Sequence, residues 1–131
     1  MDDQQRHSVF TLLYAIVLID NRVIKVEVDL FFARVESFLK TTKLVESLKA
    51  KAIISNWFVQ NYKDILHEMK LPNRKDYLIG HVENLKFYGQ RQDVFNIMLE
   101  IAHADNEFHT DEREFLKTVA QIWKLDLPKN T

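Results

Sequence analysis

Cysteine is absent from the 131-residue sequence. That excludes disulfides, thiolate nucleophiles, iron–sulfur clusters and zinc–cysteine sites. Glycine and proline number two each. So few turn formers cannot punctuate a β-sandwich or a doubly wound α/β sheet. The two glycines, Gly80 and Gly89, also form no phosphate-cradling loop or dinucleotide fingerprint, and no nucleophile motif accompanies them. Enzymatic activity is therefore not expected. The longest apolar run, Leu12 to Ile19, is far short of the roughly 20 residues a membrane span needs. The first residues, Met1-Asp2-Asp3-Gln4-Gln5, are acidic and polar, unlike a signal peptide. The expectation is a cytoplasmic chain with no transmembrane segment, for which only peripheral membrane association is open. An excess of one charge is missing too. The net charge of −1 argues against generic nucleic-acid binding.

What is present is a hydrophobic fraction of 47%, enough for a real core. The length fits one domain, residues 1–131. Apolar residues recur at helical spacing almost throughout, which predicts an all-α bundle of about six to seven helices. The first helix is expected over about 3–19, with Val9, Leu12, Leu13, Ile16, Val17 and Ile19 inward. A second is expected over about 26–40. A long stretch over 44–69 carries a less regular pattern before Ser55, which suggests a kink. Further helices are expected over about 74–88, capped by Asn73 with Asp76 and ended by Gly89, then over 92–104 and 111–124. Charge is unevenly spread: residues 41–92 carry nine Lys/Arg against five Asp/Glu, whereas residues 93–131 carry four against eight. The middle is basic and the end acidic.

Sliding the sequence by 85 residues exposes an internal repeat. Val9, Phe10, Ile16, Asp20, Asn21 and Glu27 align with Val94, Phe95, Ile101, Asp105, Asn106 and Glu112, all identical. Apolar matches are cheap between amphipathic helices, but Asp-Asn at a helix end followed by Glu in register is not. The repeat units cover 9–40 and 93–125. The motif, apolar helix-Asp-Asn-x-apolar-x-x-x-Glu-apolar helix, resembles the TerB-like domains of tellurite-resistance TerB proteins and DjlA-type co-chaperones. There the usual pattern has Gly where Asn21 and Asn106 stand. The resemblance implies a bundle with pseudo-twofold related halves, a link to stress response and tellurite resistance, and metal-ion binding through the acidic turns. It supplies no enzymatic activity. A protein partner is the expected ligand; its identity and the oligomeric state are not read from sequence.

Two readings of the acidic turns stand. In the plainer one each Asp accepts hydrogen bonds from loop N–H groups and the turn holds itself. In the other, Asp20, Glu27, Asp105, Glu107, Asp111 and Glu112 converge on a divalent cation, Ca²⁺, Mg²⁺, Mn²⁺ or Zn²⁺, carboxylate oxygens suiting hard ions. The second turn is the better candidate, because Arg22 and Lys25 nearly cancel the charge of the first. An EF-hand fails in both copies for want of the position-6 Gly and the regular ligand spacing. His103 and His109 flank Asp105 and would suit Zn²⁺ or Ni²⁺, but surface histidines are the plainer reading. His7, His67 and His81 have no partner at helical spacing. Phe32, Trp57 and Phe87 sit beside the inward stripes and are the candidates for a partner surface.

Overall fold

The computed structural model describes residues 1–20, 22–42, 45–104 and 110–128. Six helices make up the fold: α1 Asp3–Leu18, α2 Lys25–Thr41, α3 Ser47–Met69, α4 Arg74–Asn84, α5 Arg91–Ala102 and α6 Thr110–Trp123. No strand occurs among the described residues. The all-α expectation holds, and α3 runs as one continuous helix through Ser55.

α1 is the central helix. It opens with a reciprocal cap: the Gln5 N–H donates to Asp2 Oδ1 at 2.7 Å, and the Asp2 N–H donates to Gln5 Oε1 at 3.2 Å. From Ser8 onward every residue of α1 is buried. It is flanked by α2, α3, α4 and α5, so it has no solvent face. The sequence showed a one-sided stripe here. The reason for the difference is that a helix surrounded by neighbours is apolar all round, and the run Leu12–Ile19 is its signature.

The remaining helices form a shell. α2 packs on α1 and α3, α5 packs on α1 and α2, and α6 closes against α4 and α5. The core draws on all six, from Val9 and Phe10 through Phe31, Ile54, Val82 and Phe95 to Trp123. The identical apolar pairs Val9 and Val94, Phe10 and Phe95, and Ile16 and Ile101 are each fully buried.

Two helix ends differ from the sequence reading. α4 stops at Asn84, well before Gly89, and a series of tight turns carries the chain on, with Leu85 N–H donating to Val82 O and Tyr88 N–H to Leu85 O. Gly89 has no positive φ and caps nothing. Asn73 makes no side-chain cap bond either. The residue that turns left-handed is Lys124, at φ 58° after α6. There Leu125 N–H donates to Ala120 O at 2.9 Å and Lys124 N–H to Gln121 O at 3.4 Å, the paired bonds of a Schellman end.

Candidate functional site

The acidic corners lie where α1 meets α2 and α5 meets α6. α5 starts beside the C-terminal end of α6, where Arg91 Nε donates to the Trp123 carbonyl. α4 runs antiparallel to α1: His81 and Asn84 near its end meet Ser8, near the start of α1. The start of α4 therefore meets the end of α1. There Ile19 shares a cleft of about 190 Å³ with Arg74, Lys75, Leu78, Asp111 and Phe115. The end of α1 and the start of α6 thus stand together at one end of the molecule.

At the first corner the Asp20 side chain is 7% exposed. Its Oδ1 accepts the Arg22 N–H at 3.1 Å, and its Oδ2 lies 3.5 Å from the Arg22 guanidinium. The carboxylate shapes its own turn, as short acidic side chains do. Glu27 is the third residue of α2 and Glu112 the third of α6. Each is 1% exposed, and they are the two buried charged residues among those described. Burying a carboxylate is costly unless charge and hydrogen bonds compensate it. The first turn of a helix offers both, through its unsatisfied N–H groups and the positive end of its dipole. The repeated motif Glu thus stands buried in the first turn of the helix that follows each corner, where the dipole favours its charge.

Asp111 behaves differently. Its side chain is 61% exposed and lies 3.5 Å from the Arg74 guanidinium of α4. Counted along the chain, Arg113 is the only cation near the second turn, but the fold brings Arg74 and Lys75 to the same cleft. Asp105, Glu107 and His109 fall outside the described residues; His103 is exposed. Among the described residues, no three His, Asp or Glu side chains are grouped as a metal site requires.

The family model for tellurite resistance protein TerB matches residues 6–128, nearly the whole chain. The chain belongs to the TerB family. No curated protein and no solved structure gives a significant match.

The TerB family motif does not account for a second polar cluster, which sequence reasoning missed. His7 and His81 stand with ring centroids 5.6 Å apart. Trp57 Nε1–H donates to His7 Nδ1 at 3.0 Å. Ser8 Oγ accepts from Asn84 Nδ2 at 3.2 Å and lies 2.9 Å from His81 Nδ1, placed to donate its own proton there. The indole can only donate, so His7 accepts at Nδ1 and is neutral with its proton on Nε2. Burial lowers the pKa of His7. Burial and then the neighbouring His7 push His81 down to about 4. Ser8 is fully buried. The cluster joins α1, α3 and α4 and is a structural pin. Its only sequence signal was polar Ser8 beside an otherwise apolar run; His81 lies 73 residues away.

Of the aromatic candidates for a partner surface, Phe32 packs on Phe31 and Phe58, and Trp57 packs edge-on against Phe10. Phe87 alone is open, at 87% exposure, with the Lys86 ammonium 5.3 Å from its ring centroid.

Proposed function

We propose that this TerB-family chain is a non-enzymatic module that acts by binding another protein in a tellurite-resistance or stress-response assembly. The observation that carries the reading is the engagement of the corner carboxylates within the fold: Asp20 on its own turn, Asp111 beside Arg74, Glu27 and Glu112 in the interior. The corners serve as fixed posts of a rigid scaffold. The large side chains left for a ligand are apolar and exposed, Leu48, Val59 and Phe87 foremost. Deletion and complementation test this. Deletion is expected to lower tellurite tolerance, and the wild type and the double variant Asp20→Asn/Asp111→Asn are expected to restore it equally. Unchanged tolerance on deletion, or failure of a well-folded double variant to restore it, would contradict the reading.

The second reading is a divalent-cation site built from Asp20, Glu27, Asp105, Glu107, Asp111 and Glu112. One observation favours it: the end of α1 and the start of α6, which flank the two corners, share the cleft at Ile19 and Asp111.

A further inference from the structure

α3 packs inward through Ala50, Ile54, Ile65 and Met69. Its opposite face is bare. Leu48, Ala52, Ser55 and Val59 follow one another at spacings of three or four residues and form one stripe. All four are exposed, Leu48 at 97% and Val59 at 71%. The stripe is about 16 Å long at the helical rise per residue. Helical spacing sets Lys51 along one edge and Lys49 and Lys63 along the other. All three are exposed, and no Asp or Glu occurs between Glu46 and Asp64. Beside the Lys51 edge runs a groove of about 440 Å³ between α2 and α3, lined by Phe32, Ala33, Glu36, Lys51, Ile54 and Ser55.

We propose that this face of α3, with its adjoining groove, docks an acidic amphipathic helix of another protein. The inference rests on the protein-interaction reading and names the surface and the chemistry of the partner. An apolar stripe with a neighbouring groove is the shape that receives an amphipathic helix. Small Ala52 and Ser55 in mid-stripe let a partner backbone approach closely, since interaxial distance follows the side chains at the contact. The lysine edges select carboxylates on the flanks of the incoming helix. A second copy of this chain would set the same lysines against each other, and like charges across an interface are strongly disfavoured. A lipid surface would find no exposed aromatic on the stripe and little apolar area to insert.

The test places a photo-crosslinking amino acid at Val59, and separately at Phe87, in the full chain, and irradiates cells grown with tellurite. The Val59 probe is expected to capture a protein whose cross-linked segment, sequenced by mass spectrometry, is acidic with apolar residues at helical spacing. Lys51→Glu with Lys63→Glu is expected to lower that yield at least roughly tenfold, about 1.4 kcal/mol, with the circular dichroism and melting temperature unchanged. Cross-links from Val59 only to a second copy, or to a segment lacking carboxylates, overturn the proposal. So does co-sedimentation with phosphatidylglycerol vesicles that the lysine variant abolishes, in the absence of a protein adduct. If Val59 captures nothing while Phe87 captures a protein, the α3 assignment falls and the interaction reading stands. If both are silent, both fall.

Discussion

His81 shows how little of a residue's setting its sequence neighbourhood reveals. Its hydrogen-bond partner is Ser8 and its aromatic neighbours are His7 and Tyr77, so only the fold makes it a buried base. With its folded pKa at about 4 against the ordinary imidazole value of 6.5, the unfolded chain binds the extra proton first as pH falls. Stability is therefore full above pH 6.5 and is lost as pH drops towards 4. The nearest other titratable groups are His7, which adds to the loss, and Tyr77, whose environment includes Glu68 and Asp64. Discounted for partial solvation, the loss is about 1–2 kcal/mol. Urea unfolding at pH 7.5 and 4.5 measures it. His81→Gln is expected to flatten the difference, and an unchanged pH slope in that variant would show that His81 is not the source. The acidic residues divide by burial in the same way. Glu27→Ala and Glu112→Ala are each expected to destabilise by about 1–3 kcal/mol, because each removes a fully buried side chain whose charge the helix start favours. Exposed Asp111→Ala is expected to cost under about 0.5 kcal/mol. Chemical denaturation of the three variants decides this, and equal losses would refute the division.

Helix positions were legible because the shell helices present buried and exposed faces at a regular period and α1 carries an unbroken apolar run; the ends were not. α4 was expected to run on to Gly89, yet it gives way to tight turns at Leu85, whose buried side chain holds the chain against the core. Gly89 reads as the stop signal of α4, but among the described residues the left-handed helix end belongs to Lys124. That conformation is costly for any residue with a Cβ. Lys124→Gly is expected to stabilise the protein by about 1 kcal/mol, read as a higher urea midpoint with unchanged slope. A lower midpoint would mean that the lysine stem contributes more packing than the strain removes. α1 was legible as a helix but not as the centre of the bundle. Its burial on all sides depends on α4 and α5, far along the chain.

At the scale of the molecule the duplication was the most informative feature of the sequence, since its polar matches pointed to the TerB family and to the corners. Register carried that far: identical Glu27 and Glu112 are buried alike, and Phe38 and Trp123 at the repeat's end are buried as well. What the repeat could not convey is which charges meet across it. Arg74 reaches Asp111 from α4, an element outside the repeat units. If the corners are internal posts of an interaction scaffold, as proposed, they need no ion. The most direct test is the melting temperature of chelator-treated protein with and without millimolar Ca²⁺, Mg²⁺, Mn²⁺ or Zn²⁺. A bound ion at 100 times its dissociation constant would add about 2.7 kcal/mol of stability. The expected result is no shift beyond about 1 °C, since a shift of that size corresponds to only a few tenths of a kcal/mol in a domain of this length. A rise of several degrees that Asp105→Asn with Glu112→Gln abolishes would contradict the account and establish the corners as a cation site.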